Sequence, residues 1–144
     1  MKTLILYYSL QGSTEKEAKR LAAETGADLC RIRERRDRSM TGAFLAGPWQ
    51  AIFRRAVSIR KPDVRPEDYD RLIIGCPVWA GYPAPAFNSI LKLLPPGKET
   101  EVFFCSATGN AMKSEKGTKA LLAKKGCKIT NVRIVATGTM KQPS

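Results

Sequence analysis

The run Ile5-Leu6-Tyr7-Tyr8-Ser9-Leu10-Gln11-Gly12-Ser13-Thr14-Glu15-Lys16-Glu17-Ala18 constrains this chain more than any other stretch. An apolar strand stops in a short loop of hydroxyl, amide and glycine groups, and a helix begins at once. That order sets unpaired backbone N–H groups and the positive end of a helix dipole where a phosphate can sit. Ser9, Ser13 and Thr14 add hydroxyl donors, Gln11 adds an amide, and Gly12 lets the backbone approach closely. No lysine or arginine lies within the loop, so neutral donors are expected to hold the anion. Such a loop suits a phosphate monoester that is bound and kept rather than transferred. Two familiar nucleotide loops do not fit. The dinucleotide fingerprint needs three spaced glycines, and the Walker loop needs Gly-Lys-Ser/Thr after four spacers. Thr14 with Glu17 also makes a capping box, which any α/β protein can use to start a helix.

The rest of the chain repeats the alternation. Lys2–Tyr8 reads as a buried strand and Thr14–Thr25 as a helix, with Ala18, Leu21 and Ala22 on its apolar face and Gly26 just past its end. Asp28–Arg33 alternates Leu29, Cys30 and Ile32 with charge, as a more exposed strand does. Met40–Ser58 carries Phe44, Leu45, Trp49, Ile52, Phe53 and Val57 at broadly helical spacing, interrupted by Gly47-Pro48. Arg71–Cys76 predicts a central strand, Pro85–Leu94 a helix, Glu101–Ser106 a strand, Ser114–Lys125 a helix and Cys127–Ala136 the last strand. Thr137–Ser144 reads as a loose tail. Strands alternating with helices imply right-handed crossovers and a parallel sheet covered on both faces. A single domain over residues 1–144 follows from the length and from the lack of linkers or repeats.

Composition removes several kinds of chemistry. The chain has no histidine, so the usual general base and the Ser-His-Asp nucleophile are missing, and no catalytic side chain is assigned. Redox chemistry stays open, because a bound cofactor can carry it. Cys30, Cys76, Cys105 and Cys127 are far apart and read as buried reduced thiols; no metal site is expected. No apolar run approaches the roughly 20 residues that span a bilayer, and the N-terminus shows no leader pattern, so a cytoplasmic location is expected. Twenty-five Lys+Arg against 13 Asp+Glu leave a net charge of +12. The charge concentrates at Arg31–Arg38 and around the last helix. It suits acidic partners, yet no aromatic interleaving or motif points to specific nucleic-acid binding.

The first run resembles the flavodoxin signature, with Ile5, Leu6, Tyr7, Ser9, Gly12, Thr14, Ala18 and Leu21 where that pattern asks for such residues. The resemblance covers nearly the whole chain. It implies a flavodoxin-like three-layer sandwich whose five-stranded parallel sheet has the order 2-1-3-4-5, for which flavodoxin itself is the type example. It also implies FMN, bound beyond the carboxyl ends of strands one, three and four. Three loops then converge: Ser9–Thr14, Pro77–Tyr82 and Ser106–Asn110. In the second, Pro77, Val78, Trp79, Ala80, Gly81 and Tyr82 resemble the ring-binding loop of small flavodoxin-like proteins. Trp79 or Tyr82 offers a stacking face, and Ala80 and Gly81 bring backbone to the flavin rim. In the third, Ser106, Ala107, Thr108, Gly109 and Asn110 can wrap the pyrimidine side through backbone N–H groups. Many flavodoxins carry aromatic and acidic residues there, and this chain has neither. The implied function is electron transfer to redox partner proteins, and the net charge of +12 leads to the expectation that these are acidic. An NAD(P)H-dependent reductase of quinones or other small acceptors is the alternative, and a basic interaction module with a lapsed flavin site is a third.

Overall fold

The computed structural model describes residues 1–10, 12–35, 49–50, 54, 56–79, 81–107, 109 and 112–137, the side chains of 112–114 excepted. Gln11, Ala80, Thr108 and Asn110 lie outside the described residues, as do most of the predicted 40–58 segment and the tail beyond Thr137.

The elements follow the expected alternation: β1 (Thr3–Tyr7), α1 (Ser13–Thr25), β2 (Asp28–Arg31), β3 (Arg71–Trp79), β4 (Tyr82–Pro83), α2 (Pro85–Leu91), β5 (Glu99–Ser106), α3 (Met112–Lys124) and β6 (Lys128–Ala136). The sheet runs β2-β1-β3-β5-β6, with β4 attached to β3 alone. The five long strands are all parallel: Leu6 lies beside Cys30 and Ile74, and Phe104 lies between Cys76 and Ile134. Leaving out the two-residue β4, this is the expected order.

Alternation along each strand divides the core. Ile5, Tyr7, Ile73, Phe103 and Cys105 face α1, packing against Ala18 and Leu21. Leu4, Leu6, Leu72, Ile74 and Phe104 face the other way, toward Phe87 and Ile90 of α2 and Leu122 of α3. Both faces of the central strands are therefore apolar, which is why β1, β3 and β5 read as continuous runs instead of alternating ones.

Four details depart from the sequence expectation. The central strand does not stop at Cys76: it continues through Pro77, Val78 and Trp79. Pro77 lies in register with Cys105, and Val78 and Trp79 turn back onto Pro83 and Tyr82. A proline cannot donate, but the Pro77 carbonyl still accepts from Ala84 N–H at 2.9 Å, so the ladder survives. Secondly, α1 starts one residue early and is capped by Gly12, with no side-chain cap bond. The Thr14–Glu17 capping box does not form, because Thr14 sits inside the first turn with its side chain buried. Thirdly, α2 ends at Leu91, although Leu94 remains buried beyond it. Finally, β2 ends at Arg31, and the chain beyond it pairs outside the main sheet, Glu34 bridging to Ile59. Among the described residues, no helix is long and apolar enough to cross a membrane.

Candidate functional site

Parallel strands bring their carboxyl ends to one edge, and the register fixes which segments meet there. Tyr7 of β1 lies beside Gly75 of β3, which lies beside Phe103 of β5. The segments leaving these strands, Ser9–Thr14, Val78–Tyr82 and Ser106–Gly109, share that edge. Tyr8 ties the first two together. Its N–H donates to the Gly75 carbonyl at 3.0 Å, and its ring meets Trp79 edge-on, with centroids 6.1 Å apart.

The first loop is built around Gly12, whose φ of 108° is open to glycine and strained for other residues. A Cβ there would meet nothing within 4 Å, so backbone conformation and not crowding selects the glycine. Gly12 N–H donates to Ser9 Oγ at 3.0 Å, which shapes the turn. The first rung of α1 is Lys16 N–H to the Gly12 carbonyl at 2.9 Å. The N–H groups of Ser13, Thr14 and Glu15 therefore precede the helical ladder and are available to an anion. Thr14 adds a stronger mark. Its side chain is fully buried, and its Oγ1 has no hydrogen-bond partner. Burying an unpaired hydroxyl costs roughly 1–3 kcal/mol. The nearby Cys105 thiol does not offset this, since its geometry falls short of a hydrogen bond and thiols are weak partners. Burial pushes that thiol up to about 11. An orphaned hydroxyl beside free first-turn N–H groups fits a phosphate.

One charged group reaches this loop that the local sequence does not reveal. Arg31 closes β2, and its Nη2 donates to the Ser9 carbonyl at 3.2 Å while Nη1 pairs with Glu15 at 3.1 Å. The first arginine of the 31–38 cluster thus stands at the loop edge. Twenty-two residues separate Arg31 from Ser9, so only the parallel pairing of β1 with β2 brings them together. Tyr8, Ser9, Leu10 and Arg31–Glu34 line a cleft of about 180 Å³ at this end of the sheet. In it the Tyr8 hydroxyl donates to Glu34 Oε1 at 2.7 Å.

The second segment is a strand end and hairpin. Trp79 is only 2 % exposed, part of the core rather than an open face. Tyr82 is half-buried and carries the Arg54 guanidinium 5.8 Å from its ring centroid. Gly81 makes the turn between them at φ 85°. In the third segment, Ser106 and Ala107 are buried; the Ser106 carbonyl accepts from Gly109 N–H at 3.4 Å and Thr137 N–H at 3.0 Å. Ser9, Gly12, Ser13, Thr14, Pro77, Val78, Trp79, Gly81, Tyr82, Ser106, Ala107 and Gly109 thus all lie at or leading to one end of the sheet. All four cysteines are free and buried.

A doubly wound parallel sheet, with a strand–loop–helix whose first-turn N–H groups precede the helical ladder and an aromatic hairpin at its carboxyl edge, is the architecture of a class of α/β nucleotide-binding proteins. A sequence model of flavodoxin matches residues 2–136, and the chain belongs to the flavodoxin family. A flavoprotein from Lactobacillus acidophilus NCFM, solved in complex with FMN, is 26 % identical with a TM-score of 0.76, the match covering 92 % of each chain. A candidate flavoprotein from Bacteroides uniformis shares the fold at 18 % identity and a TM-score of 0.81, over 94 % of this chain and 90 % of that one. An NADPH-quinone reductase from P. pentosaceus shares it at 12 % identity and a TM-score of 0.59, over 99 % and 89 %. Comparison with curated protein sequences finds no match.

Proposed function

We propose that this protein binds FMN at the three-segment edge and carries electrons between protein partners. The observation that carries the reading is the orphaned Thr14 hydroxyl at the start of α1, set against first-turn N–H groups. Ser13, Thr14 and the N–H groups of residues 13–15 would hold the phosphate, with Ser9 shaping the turn and Arg31 adding positive potential from the side. Tyr82, Gly81 and the Ser106–Gly109 turn would frame the ring. Bound FMN supplies one- and two-electron chemistry that no side chain here can perform. The side chains position it, exclude water from one side and set the charge around it.

The family and the FMN complex of the Lactobacillus acidophilus flavoprotein support the cofactor. The carrier role is supported by the net charge of +12, which favours brief docking with acidic partners. Four free buried thiols suit a reducing compartment, and we place the protein in the cytoplasm. The purified protein is expected to be yellow, with bound flavin visible in its absorbance spectrum. Mixing with NADPH then separates the two roles: a carrier stays oxidised until a reductase is added, whereas direct bleaching would establish a reductase.

A further inference from the structure

The first turn of α1 carries an anion of its own. Glu15 is the third helical residue after the Gly12 cap, and its N–H is one of the three that precede the helical ladder. From that position a glutamate can reach back to the N–H of the cap, as it does in a capping box. The helix dipole favours a carboxylate at the same place where it favours a phosphate. Glu15 is therefore an internal competitor for the donors assigned above to FMN.

In the structure it does not compete. α1 has no side-chain cap bond, and Gly12 N–H donates to Ser9 Oγ at 3.0 Å instead. Each Glu15 oxygen faces a cation: Lys19 Nζ stands 2.8 Å from Oε1, and Arg31 Nη1 stands 3.1 Å from Oε2. The Lys19 hydrogen bond is the first cause holding the Glu15 carboxyl below the usual glutamate range, with Arg31 adding to it and burial opposing it. The two cations are not equivalent. The Lys19 side chain is 62 % exposed, one turn further along the same helix, and solvent screens it. The Arg31 side chain is 33 % exposed and comes from β2, and its Nη2 is fixed on the Ser9 carbonyl at 3.2 Å. One guanidinium thus holds the loop with one nitrogen and the carboxylate with the other.

We propose that Arg31 keeps the phosphate site open by drawing the Glu15 carboxylate aside from the first-turn N–H groups. This rests on the reading of that turn as the FMN phosphate site. Arg31 is then a positioning residue, acting on the phosphate through Glu15 in addition to its own charge. Without it, the carboxylate swings back onto the loop N–H groups, and FMN must displace it in order to bind.

A double-mutant cycle tests this, with FMN and riboflavin titrated into the native chain, Arg31→Gln, Glu15→Ala and the double variant. Two independent charges add, so each substitution would change FMN affinity by the same factor in either background. A positioning role does not add. Arg31→Gln should weaken FMN, and Glu15→Ala should then restore it. The gain from Glu15→Ala should be at least roughly threefold larger where Arg31 is replaced than where it is present. Riboflavin, which has no phosphate, should show no such coupling. Equal gains from Glu15→Ala in the two backgrounds would overturn the proposal, as would an Arg31→Gln variant that binds FMN like the native chain. The same coupling for riboflavin would also overturn it, since the pair would then shape the loop and not clear it for phosphate. A native chain that binds FMN no better than riboflavin would instead remove the phosphate site itself, and this inference with it.

Discussion

Thr14 and Trp79 look alike in the sequence, each a candidate contact beside a loop, and the structure gives them opposite characters. Thr14 is buried with its hydroxyl unsatisfied, whereas Trp79 is buried with its ring packed edge-on against Tyr8. The sequence shows which residues stand near the carboxyl edge, but not which way their side chains turn, because that depends on how far each strand runs. β3 runs two residues past Pro77, and this draws Trp79 inward. Tyr82, one turn later, is left half-buried. Trp79→Ala should therefore destabilise the fold by about 3–5 kcal/mol. Tyr82→Ala should cost much less stability but raise the fluorescence of bound flavin. Denaturant unfolding and flavin emission, measured on both variants, check the division. If Trp79→Ala left stability intact, the packing described at that strand end would be wrong.

At the scale of elements, the first strand, loop and helix were legible because local chemistry decides them: an apolar run, a left-handed glycine and a helix start. The relation of α1 to the far edge of the sheet was not legible. Glu17 makes that connection. It pairs with Arg20 three residues on, at 2.7 Å, and accepts from Arg133 of β6 at 3.4 Å, across 116 residues of chain. The Arg20 hydrogen bond is the main cause holding its carboxyl below the usual glutamate range, with Arg133 adding to it and burial opposing it. A carboxyl lowered on folding contributes stability that is fully present above the ordinary value of 4.5 and is lost as pH falls through the folded value. Glu17→Gln should therefore lower the melting temperature at pH 7 and flatten its fall below about pH 4.5. A variant that matched the native protein at pH 7 and fell just as steeply in acid would remove Glu17 from this role. Arg31 makes the same point at the site: it stands in the sequence as part of a basic cluster, and only the β1–β2 pairing shows that it reaches Ser9.

For the whole molecule, the sheet order was readable because alternating strands and helices leave few topologies open. Function was readable only as far as the edge where the segments meet. The +12 charge acts at this scale, through a field rather than a contact. Electron transfer to an acidic protein acceptor should slow as salt rises, since the Debye length shrinks from about 10 Å at 0.1 M to about 3 Å at 1 M. Stopped-flow rates with acidic and basic acceptors across a salt series check this, and a faster reaction with the basic acceptor at low salt would assign the charge another purpose. The central claim is that the Ser9–Thr14 loop holds the phosphate of FMN. Calorimetric titration of the native protein and Thr14→Val with FMN and with riboflavin tests it most directly. The hydroxyl has no partner inside the protein, so its removal should leave the ligand-free fold as stable as before, or more so. FMN should bind roughly 10- to 150-fold more weakly, as expected for a lost hydrogen bond to a charged group, with riboflavin affinity unchanged. Equal losses for the two ligands, or no loss of FMN affinity, would contradict the account.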